Sequence, residues 1–218
     1  MKTLEASRLY TFVDTAYLRG RAPELVAREL CAGGSDIIQL RAKQSTPEEV
    51  LRMAQTILPI TRDSGVPLVI NDHLSIAREV GAEYCHLGQE DFFENGYSRV
   101  SELLGGKESA ATAAVGIGLS THAPEQAARA IAAKPHYIAI GPIYQTATKP
   151  TARPVTLEYV RWASKNVSIP WFAIGGVNLQ TLDDVLAAGA TRICVVSAIL
   201  NADDIAGACR KFKERLPR

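Results

Sequence analysis

Short apolar runs rich in β-branched residues recur along the chain, and the segments between them carry apolar residues at helical spacing. Eight runs read as strands: LYTFVD from Leu9, IIQLRAK from Ile37, PLVIND from Pro67, EYCHLG from Glu83, VGIGLS from Val115, YIAIGP from Tyr137, PWFAIGG from Pro170 and RICVVSA from Arg192. The run Tyr137-Ile138-Ala139-Ile140 is apolar at every position, which suits a strand covered on both faces, as in a parallel sheet. The intervening segments open with helix-start signals. Thr46-Pro47-Glu48-Glu49 supplies a cap, a proline in the first turn and two acids; Ala123-Pro124-Glu125 and Thr156-Leu157-Glu158 repeat the acidic start. Gly33-Gly34, Gly81-Ala82 and Gly189-Ala190 mark helix ends ahead of the next strand. Strand and helix thus alternate throughout, the signature of an α/β fold with a parallel sheet. Eight such units in 218 residues point to a single (β/α)8 TIM barrel spanning 1–218. No G-x-G-x-x-G follows the first strand, which argues against a dinucleotide-binding open sheet.

Composition narrows the function classes. With 47% hydrophobic and 22% charged residues and a formal net charge of +1, the chain has the make-up of an ordinary globular domain. Near-neutral charge argues against a dedicated nucleic-acid binder. The basic stretch Arg210 to Arg218 includes Glu214 and reads as the solvated face of a last helix. Cys31, Cys85, Cys194 and Cys209 have neither C-x-x-C nor zinc spacing, and fit small core residues in a reducing compartment. The start MKTLEASRLY lacks the apolar core of a signal peptide, and no window is long and apolar enough for a membrane span, so a cytoplasmic location is expected.

The polar residues gather where strands end, and in a (β/α)8 barrel those carboxyl ends carry the chemistry. Beyond Gly141-Pro142, Thr146, Thr148 and Lys149 offer two hydroxyls and an ammonium in one short loop, a phosphate-sized set of donors that also suits an ordinary polar surface loop. In Gln39-Leu40-Arg41-Ala42-Lys43, strand alternation points Gln39, Arg41 and Lys43 the same way. Two cations and an amide on one inward face need partners. The partner is an anion such as a phosphate or diphosphate, or else acids at neighbouring strand ends. Asn71-Asp72 closes the third run and His86-Leu87-Gly88-Gln89-Glu90-Asp91 follows the fourth. Asp72 and Asp91 read as helix caps or, together, as a site for Mg²⁺, which takes few carboxylates and fills its sphere with water and substrate phosphate. His86 shares its direction with Tyr84, as a core histidine or a ligand contact; Ser120 either caps the next helix or meets substrate; His122 belongs to a loop or helix start. Gly175-Gly176 and Val196-Ser197 end the last two runs, where glycine and backbone amides commonly cradle phosphate.

Taken in order, the motifs QLRAK, IND, HLGQED, GLSTH, GPIYQTATKP, IGGVN and VVSA resemble those of the thiamine-phosphate synthase family, and the resemblance covers nearly the whole chain. It implies a Mg²⁺-dependent transferase that joins 4-amino-2-methyl-5-pyrimidinylmethyl diphosphate to a thiazole phosphate with release of diphosphate. It further implies that Gln39, Arg41, Lys43, Asn71, Ser120 and Lys149 hold the pyrimidine diphosphate, with Lys149, Arg41, Lys43 and Ser120 acting on the leaving group. Asp72 and Asp91 would hold Mg²⁺. Thr146, Ala147, Thr148, Gly176, Val196 and Ser197 would hold the thiazole phosphate, and a homodimer is implied. No Ser-His-Asp or Cys-His set is evident, in keeping with chemistry that needs leaving-group stabilisation and positioning rather than a protein nucleophile. The thiazole tautomerases are similar barrels, with His122 as their candidate acid/base, but they resemble the chain less well in HLGQED and T-x-T-K. A non-catalytic phosphate-ligand sensor would not need the metal and diphosphate set.

Overall fold

Each strand pairs in parallel with its neighbours in sequence and the first pairs with the last, so the sheet closes into a ring. The strands of this computed structural model, which describes residues 1–105, 115–146 and 153–217, are β1 Leu9–Asp14, β2 Ile37–Arg41, β3 Leu68–Asn71, β4 Tyr84–Leu87, β5 Gly116–Thr121, β6 Tyr137–Ile140, β7 Trp171–Ala173 and β8 Ile193–Cys194. Seven fall within the apolar runs and β5 passes the end of its run by one residue, Thr121; helices follow the strands around the outside as a (β/α)8 barrel requires.

Most strands stop short of the run that predicted them. β2 ends at Arg41, not Lys43, because Ala42 to Ser45 form a turn closed by the Ser45 amide on the Ala42 carbonyl at 3.1 Å. The helix Pro47–Asp63 that follows is built as its sequence indicates. The Thr46 hydroxyl accepts from the Glu49 amide at 3.3 Å while the Glu49 carboxylate accepts from the Thr46 amide at 2.8 Å, a reciprocal cap. Gly81 ends the helix Leu74–Val80 in the left-handed conformation, at φ 76°.

The interior of the ring must be filled by side chains of the strands themselves. Here it is filled by aromatics on some strands and nothing on their neighbour. Gly118 pairs with Tyr137 across β5 and β6, and a Cβ at Gly118 would fall inside the Tyr137 ring; Gly116 leaves the same room for Tyr84. Tyr10, Tyr137 and Phe172 then meet edge to face, with ring centroids 5.3–6.0 Å apart, and all three are buried.

Opposite the carboxyl ends, one carboxylate joins the start of the barrel to its last helix. Asp36, just before β2, accepts from the amides of Arg8 and Leu9 at 2.8 and 2.9 Å, from Lys2 Nζ at 2.8 Å and from Lys213 Nζ at 2.6 Å. Lys213 lies on the helix Ile205–Arg215. Burial raises the Asp36 carboxyl, but the hydrogen bonds from both lysines and both amides outweigh it and hold the group below its ordinary value. A depressed acid stabilises the fold fully above the unfolded carboxylate pKa of about 3.9, and that contribution is lost as pH falls through the folded value. Asp36→Asn should therefore lower stability at pH 7 by about 1.5–3 kcal/mol, the scale of a hydrogen bond to a charged group. It should also flatten the loss of stability on acidification. Urea midpoints across pH 3 to 7 check both; equal acid slopes for the two proteins would refute the clamp.

Candidate active site

The carboxyl ends of the strands surround a cavity of about 890 Å³, part of it open to solvent. Gln39 and Arg41 of β2, Asn71 of β3, His86 of β4 and Ser120 of β5 line one wall. Gly176, Val196 and Ser197 line the other, with Thr146 from the loop after β6. Two strand-end groups anticipated as independent therefore share one space. Ala147, Thr148 and Lys149 lie outside the described residues.

Alternation along β2 points both Gln39 and Arg41 into this space, but each already has a protein partner. Register sets Asp14, the last residue of β1, beside Arg41, and their side chains form an ion pair at 2.7 Å. Asp14 is buried and also accepts from the Ala16 amide at 3.0 Å. Gln39 donates to the Tyr10 hydroxyl at 2.6 Å. Lys43 departs from the expectation. Lying past the end of β2, it is half exposed, is not among the lining residues and pairs with Asp72 at 2.7 Å. The cations of β2 thus have acids at neighbouring strand ends, and an incoming anion would share them with Asp14 and Asp72.

Asp72 ends β3 with φ 65°, a left-handed turn that Asp tolerates better than most residues. Asp91 is exposed, one turn into the helix Gln89–Phe93 after β4. Its carboxylate folds back on Gly88, where a Cβ would lie 2.5 Å from Oδ2, so glycine leaves the space the acid occupies. Among the described residues no three His, Cys, Asp or Glu side chains gather into a metal cage. Two carboxylates after adjacent strands fit a hard cation that keeps most of its sphere for water and phosphate; they do not fit zinc.

On the opposite wall, glycine is needed for close approach. Gly175 has φ 102° and its Cβ would collide with Pro142; Gly176 has φ 68° and its Cβ would lie 2.6 Å from Tyr144 Cβ. Val196 and Ser197 open the short helix Ser197–Leu200, whose first amides have no acceptor within the helix. His122 lines the cavity from the loop after β5, its Nδ1 against the Gly141 carbonyl.

Sequence reading did not single out Tyr10, Tyr137 and Asp14. The signal was present: alternation places Tyr10, Phe12 and Asp14 on one face of β1, and only the barrel's closure shows that this face meets β2 and β6. Cys194 also lines the cavity, with its thiol pushed up by burial; Cys85, behind it in the core, is pushed up to about 12 by burial and then by Asp72. Neither is disposed to act as a nucleophile.

A closed parallel barrel with a cation-bearing wall, a glycine-rich wall and strand-end carboxylates defines an enzyme of the phosphate-handling (β/α)8 class. The thiamine monophosphate synthase family model matches residues 9–199. The chain is 38% identical over 206 residues to a thiamine-phosphate synthase of Halalkalibacterium halodurans, covering 94% of this chain and 93% of that one. It is 43% identical over 186 residues to one of Thermus thermophilus, covering 85% and 84%. A solved thiamine phosphate pyrophosphorylase from Pyrococcus furiosus superposes with a TM-score of 0.81 at 27% identity, over 95% of this chain and 94% of that one. The chain belongs to the thiamine monophosphate synthase family.

The Arg41–Asp14 pair gives a test that separates holding the fold from holding a ligand. Arg41→Ala strands a buried carboxylate and should cost about 3–5 kcal/mol in denaturation. Adding Asp14→Asn should recover much of that loss while leaving affinity for inorganic diphosphate weak, as read by calorimetry on both variants. Recovery of affinity along with stability would show that Arg41 serves only the fold.

Proposed function

We propose that the chain transfers the pyrimidinylmethyl group of 4-amino-2-methyl-5-pyrimidinylmethyl diphosphate to the ring nitrogen of a thiazole phosphate, forming thiamine phosphate and releasing diphosphate. One observation carries this reading beyond family membership. A single cavity brings Gln39, Arg41, Asn71 and Ser120 together with Gly176, Val196 and Ser197, so that a polar, cation-bearing wall and a glycine- and amide-bearing wall face one space.

In this reading Arg41, Asn71 and Ser120 hold the diphosphate, with Lys43 and Lys149 closing on it from the loops after β2 and β6. Thr146, Ala147, Thr148 and the amides near Gly176, Val196 and Ser197 hold the thiazole phosphate. Mg²⁺, held by Asp72 and Asp91, would neutralise charge on the departing diphosphate. The protein's own work is to align donor and acceptor and to keep water from the electron-poor methylene carbon left when diphosphate departs. Phe12, Ile174 and Val177 supply an apolar lining for that purpose. A cytoplasmic location and a homodimer accompany this reading.

Purified protein mixed with both substrates and Mg²⁺ should yield thiamine phosphate, and excess chelator should stop it. No product under these conditions would overturn the function, and full turnover in chelator would overturn the metal role alone.

Lys149→Ala should lower kcat by about 10²- to 10³-fold, the usual cost of losing one stabiliser of developing charge. Steady-state kinetics decide: an unchanged kcat with a raised KM for the thiazole phosphate would move Lys149 to the other wall.

A further inference from the structure

Gln39 and Ser120, at the two ends of one wall of the cavity, are joined beneath its floor by an unbroken line of hydrogen bonds through the barrel. Gln39 Nε2 lies 2.6 Å from the Tyr10 hydroxyl, which lies 2.9 Å from the Tyr137 hydroxyl. That hydroxyl lies 3.1 Å from His86 Nδ1, and His86 Nε2 lies 2.9 Å from Ser120 Oγ. Five strands contribute, and Gln39, Tyr10, Tyr137 and His86 are buried. Burial holds both phenols well above their ordinary range, so each keeps its single proton.

If each phenol donates one bond and accepts one along the line, the direction of the first bond fixes all the others. Gln39 donates to Tyr10, so the Tyr10 proton goes to Tyr137 and the Tyr137 proton to His86 Nδ1. His86 Nδ1 is then an acceptor and the neutral ring carries its proton on Nε2, which donates to Ser120. The Ser120 proton is left to point into the cavity. Turning the Gln39 amide over reverses every bond in the line and makes Ser120 donate to His86 instead. A diphosphate offers only acceptors, so it matches the first direction and not the second.

We propose that Tyr10 and Tyr137 are positioning residues, whose hydroxyls hold His86 as its Nε2–H tautomer and thereby aim the Ser120 proton at the diphosphate of the substrate. This rests on the proposed transferase reading for the identity of the ligand, while the tautomer itself does not. The line also ties the Gln39 amide on one wall to Ser120 at the far end, so neither can change its hydrogen-bonding sense alone.

Nitrogen NMR of the protein labelled in its histidine rings tests this without any substrate. His86 in the unmodified protein should show a protonated Nε2 and a bare Nδ1. In Tyr137→Phe that preference should collapse, and kcat for thiamine phosphate formation should fall about tenfold, the lower end of what losing an orienting partner costs elsewhere, with KM for the pyrimidine substrate changed less than twofold. In Tyr10→Phe, Tyr137 loses the partner that turns its proton toward His86, so the tautomer preference should weaken as well; this second variant keeps the test decisive if Tyr137→Phe does not fold. A protonated Nδ1 or a charged His86 in the unmodified protein overturns the proposal. So does a tautomer preference unchanged in Tyr137→Phe or in Tyr10→Phe. A kcat unchanged in Tyr137→Phe would likewise overturn it, whereas an unmodified protein that makes no thiamine phosphate yet shows the expected tautomers would refute the transferase reading and leave the hydrogen-bond line standing.

Discussion

Closing eight parallel strands into a ring creates an interior that water cannot fill and helices cannot reach, so everything inside must come from the strands' own inward side chains. That requirement governs the molecule. Where Gly116 of β5 makes room for Tyr84, Gly118 makes room for Tyr137, which packs against Tyr10. The hydroxyls of Tyr10 and Tyr137, once buried, need partners, and the partners available are each other, Gln39 and His86. The polar line beneath the cavity is thus a consequence of filling a small ring with tyrosine. The groups at its two ends, Gln39 and Ser120, line the ligand space, as do Tyr10 and His86 between them.

The fold was legible because its signal is repetitive. Each strand is a short apolar run and many of the helices open with acids or proline, so one misjudged boundary does not alter the count. Ends were less legible, since what stops a strand is often a turn with no strong residue preference. Lys43 illustrates this: extending alternation two residues past Arg41 pointed it into the barrel, whereas the turn at Ala42 to Ser45 carries it out to Asp72. The residues of the cavity walls could be found from the sequence because polar groups at the end of an apolar run have few ordinary uses. Their partners could not, because Asp14 meets Arg41 only through the parallel register of β1 and β2, and Tyr10 meets Tyr137 only across the closed ring.

The opposing ends of the barrel divide the electrostatics. At the amino-terminal end Asp36 accepts from two lysines and two amides, so its charge is spent on the fold. At the carboxyl end Arg41 and Lys43 each have one acid. A guanidinium with five donors keeps capacity after one such bond, and a half-exposed ammonium keeps more. β2 runs from the first environment to the second, which gives its cationic end a fixed base from which to act.

The segment 147–152 leaves and rejoins the barrel at a pinned base. Beyond β6 the amides of Ile143 and Tyr144 bond to the carbonyls of Ile174 and Gly175 at 2.9 and 3.0 Å, and the Val155 amide returns to the Pro142 carbonyl at 2.8 Å. Tying the two stems together sets the entropy of closing that segment almost independently of its length, since each doubling costs only about 0.6 kcal/mol. Insertions or deletions there leave the ring's own pairing untouched. The two stems that flank residues 147–152 are thus fixed by the barrel itself, whatever the sequence between them.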